Sequence, residues 1–249
     1  MKKYIDLDKN FKESNSKALQ RMPSFLVSIM KKVVMQKELN RVLTKTANDI
    51  GVAFINAIIK EYNITPKIEG IENLPESSRC IFVSNHPFGI LDGLVLAKTV
   101  SDKYGTFKAI GNEAFMFMPQ MRPVTAVVNV YGQTSRDYVQ ALDKVYASDV
   151  PIDHFPAGEV SRWYNGKIQD TEWQKSMITK AIKHKRSIVP FYMYGSNSKL
   201  FYIIYRARKF VGIKANLELA LLPSEMFNKA NSTIKVRIGK PISWEKFDK

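Results

Sequence analysis

From Pro23 onward the apolar positions follow the period of a helix. Phe25, Leu26, Ile29, Met30, Val33 and Val34 fall on one face, with Lys31 and Lys32 on the other. Asn40 to Tyr62 repeats the pattern, with Val42, Ala47, Ile50, Ala53, Phe54 and Ile58 on its apolar side. The polar, lysine-rich residues 1–21 ahead of them read as a loosely held lead-in. Beyond residue 62 short apolar runs alternate with amphipathic stretches. Lys67 to Glu69, Cys80 to Val83, Phe107 to Ile110, Val124 to Val130, Val150 to Phe155 and Ser187 to Met193 read as strands. Leu91 to Tyr104, Asn112 to Met121, Ser135 to Ala147 and Thr171 to Lys185 read as helices, with Val139, Leu142 and Val145 on the inner side of the third. This alternation predicts an α/β fold, a largely parallel central sheet with helices on both faces, preceded by an N-terminal helical extension. Residues 1–62 form the extension and 63–249 the α/β domain. The tail is less regular: Leu200 to Val211 mixes Phe201, Tyr202, Tyr205 and Phe210 with Arg206, Arg208 and Lys209, and Thr233 to Ile238 alternates like an edge strand.

Composition narrows the partners. The chain has 38 Lys and Arg against 23 Asp and Glu. Such a field attracts polyanions, whether nucleic acid, anionic lipid or an acidic carrier protein. No nucleic-acid module or Cys/His finger spacing accompanies the charge, so nucleic acid is not expected. The single cysteine, Cys80, excludes an internal disulfide and a cysteine zinc site, and reads as a small core residue. No apolar run approaches the roughly 18 residues of a membrane span, and Met1 to Asp6 lacks the apolar core of a signal peptide. A cytoplasmic protein, soluble or peripheral on the inner face of the membrane, is expected. The two N-terminal helices then either cover the sheet or contact the bilayer, with residues 200–211 as a second contact.

The chemistry is concentrated in two turns. Ser84-Asn85-His86-Pro87-Phe88-Gly89-Ile90-Leu91-Asp92-Gly93 follows the apolar run that ends at Val83. A strand delivers His86 to a Pro/Gly turn, and Asp92 follows where a helix begins. An imidazole held in one tautomer by a carboxylate takes a proton from a hydroxyl or amine near neutral pH. Asn85 braces the turn through its amide. The second turn, Phe155-Pro156-Ala157-Gly158-Glu159-Val160-Ser161-Arg162, also leaves a strand. Gly158 lets the backbone approach a ligand, with neighbouring N–H groups for a phosphate or an oxyanion. Ser161 offers a hydroxyl, and Arg162 suits a phosphate or carboxylate. Glu159 has two readings, an acceptor for a substrate ammonium or the ion-pair partner of Arg162. His154 reads as a packed, hydrogen-bonded core histidine. His184, in Lys183-His184-Lys185-Arg186, reads as part of a solvated basic helix end.

Together with Val189-Pro190, these blocks resemble the glycerophospholipid acyltransferase superfamily, whose members carry Asn-His-x4-Asp, then Phe-Pro-Glu-Gly, then an apolar block with an Ile-Pro or Val-Pro pair. The resemblance covers roughly residues 65–195, and the Asn-His-Pro-x-Gly-x-Leu-Asp-Gly form looks like the bacterial hemolysin-like branch, which includes acyltransferases of amino-acid lipids. It implies transfer of a fatty acyl group from a carrier thioester, on acyl carrier protein or coenzyme A, to a lysophospholipid or glycerol-phosphate hydroxyl. An amino-acid lipid, acylated on oxygen or nitrogen, is the alternative acceptor, and a non-catalytic lipid-binding protein is the alternative from another class. His86 and Asp92 would be catalytic, while Asn85, Gly158, Glu159, Ser161, Arg162 and Arg136 would bind substrate. No metal or cofactor is implied, and the partners are the carrier thioester and an anionic membrane surface. Three departures stand out: five residues separate His86 from Asp92, Ala157 replaces the glutamate of Phe-Pro-Glu-Gly, and the arginine usually found before that block is missing, with Arg136 the nearest substitute.

Overall fold

The computed structural model describes residues 3–112, 118–128 and 136–247. In chain order the elements are α1 Leu7–Lys12, α2 Lys17–Gln20, α3 Ser24–Val33, α4 Gln36–Lys45, α5 Val52–Glu61, β1 Thr65–Glu69, β2 Cys80–Ser84, α6 Ile90–Tyr104, β3 Lys108–Asn112 and β4 Thr125–Val128. They continue with α7 Arg136–Ala147, β5 Ile152–His154, β6 Arg162–Tyr164, β7 Lys167–Gln169, α8 Ser176–His184, β8 Ser187–Met193, α9 Lys199–Phe210, α10 Leu222–Phe227 and β9 Thr233–Ile238. The main sheet runs β1-β9-β8-β2-β5-β3-β4, parallel throughout except where β9 meets β8. The α/β class and the parallel sheet are therefore those the periodicity implies. Strands β8, β2 and β5 are parallel neighbours, so the loops beyond their carboxyl ends emerge side by side. Ligand-binding groups collect in that position in open α/β sheets.

Strand faces sort the core. Cys80 and Phe82 point toward α5 and α6, in a cluster with Ile55, Ile58, Leu91 and Val95. Ile81, Val83 and Ile152 point the other way, toward Tyr146 and Met177. This is the period-two alternation of a strand buried on both faces. Burial pushes the Cys80 thiol up to about 11, as expected of a core residue.

Several expectations are corrected. The helix expected over residues 40–62 is two, α4 and α5. The chain turns at Gly51, which has φ +60° and donates its N–H to the Gln120 carbonyl at 2.8 Å. The lead-in is tied down: the buried Asn40 side chain accepts from the Tyr4 and Ile5 amides at 2.7 and 3.0 Å. The helix expected from Thr171 starts at Ser176, and an unexpected hairpin, β6–β7, precedes it. Residues 199–210 form a regular helix. Strand β9 lies inside the sheet between β1 and β8, not at its edge. The expected helix from Asn112 to Met121 falls largely outside the described residues, and Pro119–Val124 is a 3₁₀ turn. On α7, Leu142 and Val145 pack inward, while Val139 is exposed.

The basic helix end at residues 183–186 is solvated only at Lys183 and Lys185. His184 is buried and pairs with Asp143 at 3.0 Å. The fully buried Arg186 donates to the carbonyls of Tyr146, Val145, Ser148, Val150 and Cys80. It ties the end of α7 to the starts of β2 and β5. Burial lowers its pKa to about 10.

His154 differs again from expectation: both ring nitrogens are buried without a hydrogen-bond partner, as are both oxygens of the adjacent Asp153. Burial alone lowers His154 to about 4 and holds Asp153 well above the usual carboxylate range. Between about pH 6.5 and about 4 the unfolded chain therefore binds a proton at His154 that the folded chain refuses. Stability is fully present above about pH 6.5 and falls by about 3 kcal/mol on acidification through that window. Asp153 acts with the opposite sign, since its folded state keeps a proton that the unfolded chain loses as pH rises. Comparing wild type with His154→Leu isolates the histidine. Urea midpoints from pH 7 to pH 4 should show a steeper acid loss in wild type. Parallel curves would mean that His154 gains a polar partner in solution.

Candidate active site

The carboxyl end of β2 carries Asn85 and His86 into a turn that returns as α6. Gly89, at φ +84°, caps that helix and points its N–H back to the Asp92 Oδ2 at 2.8 Å. A side chain at Gly89 would collide with Leu222, whose Cδ2 lies 2.8 Å from an ideal Cβ. Asp92 sits in the first turn of α6 and is fully buried. Its Oδ2 accepts from Phe88 N–H at 2.7 Å, from Gly89 N–H and from His86 Nδ1 at 3.0 Å. The extra residue between His86 and Asp92 is thus absorbed by the turn, and the pair meets directly. Burial pushes the Asp92 carboxyl above its usual value, opposed by the imidazole and the two amides. The other oxygen, Oδ1, is buried without a partner.

With Nδ1 donating to Asp92, the free lone pair of the imidazole is on Nε2. The His86 side chain keeps 18% of its surface exposed, so the ring is reachable from outside. Phe155, from the second block, stacks on the imidazole at 4.0 Å between centroids. The second block also holds the histidine through its backbone, since Ser161 N–H donates to the His86 carbonyl at 2.8 Å. The two turns singled out in the sequence therefore form one site. What the arrangement can do is accept a proton at Nε2 and keep the resulting cation beside a buried carboxylate.

Asp170 completes the clamp and was not anticipated. Its Oδ1 accepts from the His86 backbone N–H at 3.2 Å and from the Ser161 hydroxyl, and its Oδ2 accepts from the Trp173 indole at 2.9 Å. Asp170 follows β7, so the hairpin that leaves the second block returns the chain to the histidine. The local signal was Asn165-Gly166 between short polar strands, a common hairpin turn.

Other expected ligand contacts are spent inside the protein. The Asn85 amide donates to the Met193 carbonyl at 3.0 Å and accepts from the Met193 N–H at 2.7 Å, bracing β2 against β8 rather than facing a ligand. The Gly158 N–H is occupied by the Phe155 carbonyl at 3.0 Å, within a turn that needs its φ of +71°. The Ser161 hydroxyl is buried on Asp170. Arg162 is fully buried and pairs with Glu218 at 3.0 Å, not with Glu159. It lies over the rings of Phe201 and Tyr205, at 5.0 and 5.6 Å. Glu159 instead accepts from the Tyr164 hydroxyl at 3.0 Å. Arg136 opens α7, and its side chain lies outside the described residues. Among the described residues no three of His, Cys, Asp or Glu gather as a metal-binding set.

Comparison with known proteins shows the family. The sequence profile described as Acyltransferase matches residues 10–248. A lyso-glycine lipid O-acyltransferase of Phocaeicola vulgatus is 38% identical over 246 residues, covering 98% of this chain and 88% of the relative. The lyso-glycine lipid O-acyltransferase of Bacteroides thetaiotaomicron is 37% identical, with 98% and 90% covered. Among solved structures, a 1-acyl-sn-glycerophosphate acyltransferase from Thermotoga maritima aligns with a TM-score of 0.47 at 16% identity, over 90% of this chain and 84% of that one.

Proposed function

This chain belongs to the acyltransferase family, and from that premise we propose that it moves a fatty acyl group from a carrier thioester to the hydroxyl of a lyso-amino-acid lipid, with glycine as the amino acid. The observation that carries the acceptor is the near full-length similarity to two lyso-glycine lipid O-acyltransferases. It favours the amino-acid lipid over a glycerol-phosphate acceptor and oxygen over nitrogen. In the proposed reaction His86 Nε2 removes the hydroxyl proton while the oxygen attacks the thioester carbonyl. The tetrahedral intermediate collapses with loss of the thiolate, which takes the proton back from the imidazolium. Asp92 keeps the ring oriented and stabilises its cation without becoming protonated. The products are the O-acylated lipid and the free carrier thiol, on acyl carrier protein or coenzyme A. A competition assay tests the acceptor: purified protein with acyl carrier protein thioester should favour lyso-glycine lipid over lysophosphatidic acid in kcat/KM. Equal or reversed preference would refute the assignment.

Asp170 is proposed as a positioning residue. Without it the His86 amide, the Ser161 hydroxyl and the Trp173 indole lose their acceptor at once, and the histidine backbone is freed. A shift of about 1 Å in a reacting group costs on the order of 10²-fold in rate. Asp170→Ala is expected to lower kcat by about that factor with a smaller change in KM. Asp170→Asn can keep its oxygen on His86 and Ser161 while its amide nitrogen faces the indole donor, so it should recover most of kcat but not stability. If both variants lose kcat equally, the carboxylate's charge and not its geometry is what matters.

No helix among the described residues is long and apolar enough to cross a membrane. The acceptor is a lipid in this reading, so docking is proposed through α3 and the end of α9. On α3, Val27 is the buried residue, while Phe25 (63% exposed), Leu26 and Ile29 face out. On α9, Phe201, Tyr202 and Tyr205 are core, correcting their expected interface role. The exposed apolar residues there are Leu200, Ile203 and Phe210 (93% exposed). Lys31 is paired with Asp8, whereas Lys32 is exposed. Both helices pack on the 3₁₀ turn Leu217–Leu221. Co-sedimentation with vesicles containing anionic lipid should fall with salt and drop for Phe25→Asp combined with Phe210→Asp. Undiminished binding of that variant would place the contact elsewhere.

A further inference from the structure

Arg162 and Arg208 share one buried carboxylate. Arg162 meets Glu218 at 3.0 Å, and Arg208 donates to both Glu218 oxygens and to the Asn216 side chain. All three ionic groups are buried. Burial pushes the Glu218 carboxyl up, but the Arg208 hydrogen bond and the two cations outweigh it and hold the group ionised. Two buried guanidinium groups share this one buried carboxylate, and the other carboxylate acting on Arg208 is Glu159, at the cavity wall. Burying a charge without a counter-charge is unfavourable, so such a cluster favours an anion beside it.

Arg208 also lines a cavity of about 380 Å³, and the rest of the wall has the same sign. Lys209 and Lys214 line it, both exposed, and neither has an acidic partner among the described residues. Tyr205 contributes a wall, and Glu159 with Tyr164 closes the side nearest the second block. Glu159 is the carboxylate that faces the cavity, and its oxygen accepts from Tyr164. Counting Arg162 behind the wall, four cations stand against two carboxylates. The cavity is linked to the histidine through the second block: Glu159 lines it, and Ser161, two residues on, donates its N–H to the His86 carbonyl.

We propose that this cavity, floored by Arg208 and flanked by Lys209 and Lys214, binds an anionic oxygen group of a substrate, a carboxylate or a phosphate. This rests on the acyl-transfer reading, under which two sources of that chemistry exist. One is the acceptor headgroup, since a glycine linked through its nitrogen keeps a free carboxylate. The other is the phosphate of the donor's pantetheine arm. An anion held by α9 and the following loop would anchor one end of the substrate while its reacting atom reaches His86.

The test uses the full-length protein and the surface variant Lys209→Gln/Lys214→Gln, which leaves the buried triad intact. Two probes are titrated against each protein by calorimetry, N-hexanoylglycine and inorganic phosphate, and steady-state KM values are measured for lyso-glycine lipid and for acyl carrier protein thioester. Binding of either probe to wild type, weakened at least tenfold in the variant, supports the site whether or not the glycine lipid is the acceptor. A tenfold rise in acceptor KM, with the methyl ester of the acceptor insensitive to the variant, assigns the anion to the headgroup. A matching rise in donor KM alone assigns it to the donor phosphate. The proposal is overturned if wild type and variant bind both probes equally and show the same two KM values, even where wild type acylates the glycine lipid.

Discussion

His86→Ala is expected to reduce acyl transfer by roughly 10⁴-fold or to the floor of the assay, because a positioned general base supplies up to about that factor. Neither of the other two histidines can take its place. The chain has three histidines. The ring nitrogens of His154 are buried and the ring is held neutral down to about pH 4, and His184 is buried against Asp143. Asp170 spends its oxygens on His86, Ser161 and Trp173. The fold should survive, since the imidazole is partly exposed and its loss still leaves Asp92 with the Phe88 and Gly89 amides. Circular dichroism and a melting point within a few degrees of wild type would separate lost chemistry from lost structure.

Asp92→Asn is the more instructive variant. In many His-Asp pairs the amide reverses the tautomer, but here three donors converge on Oδ2 and none on Oδ1. The asparagine oxygen should take the Oδ2 place and keep all three bonds, with its NH₂ group where Oδ1 was, buried and without an acceptor. The tautomer survives, and the negative charge beside the imidazolium does not. Breaking a buried pair costs about 3–5 kcal/mol, and each 1.36 kcal/mol in the transition state is tenfold. A loss of roughly 10²- to 5 × 10³-fold in kcat is therefore expected, smaller than for His86→Ala. The orphaned amide should also lower stability by about 1–3 kcal/mol. Measured kcat and urea midpoints check both figures. A loss as large as that of His86→Ala would show that the tautomer had reversed.

What the sequence disclosed followed the strength of its local signals. The strand-turn-helix around His86 is written in adjacent residues: an apolar run, Pro87, Gly89 and then an amphipathic helix. Its geometry matches that reading. The alternation of strands and helices was legible for the same reason, because strands buried on both faces are uniformly apolar. The polar contacts of the second block were not legible. Ser161, Arg162 and Glu159 look like ligand groups in isolation, but their partners lie elsewhere, at Asp170, Glu218 and Tyr164. No periodicity connects Arg162 to Glu218, since only the packing of α9 and the following turn brings them together. Arg186 misled in the same way: a basic run at a helix end usually faces water, and the carbonyls that capture it come from two distant stretches, Cys80 and residues 145–150. The reverse error concerns α9: Phe201, Tyr202 and Tyr205, expected at an interface, are core, because a helical wheel gives faces without saying which one the core takes.

The decisive measurement is a single turnover. One equivalent of acyl carrier protein thioester is mixed with excess protein and lyso-glycine lipid, and the lipid, the carrier and the intact protein are followed together by mass spectrometry. Direct transfer by His86 predicts that the acyl mass passes from carrier to lipid in one phase, appears as an ester on the acceptor hydroxyl, and never adds to the protein. An acyl adduct on the protein that forms and decays at the rate of turnover, or an amide product, would contradict it.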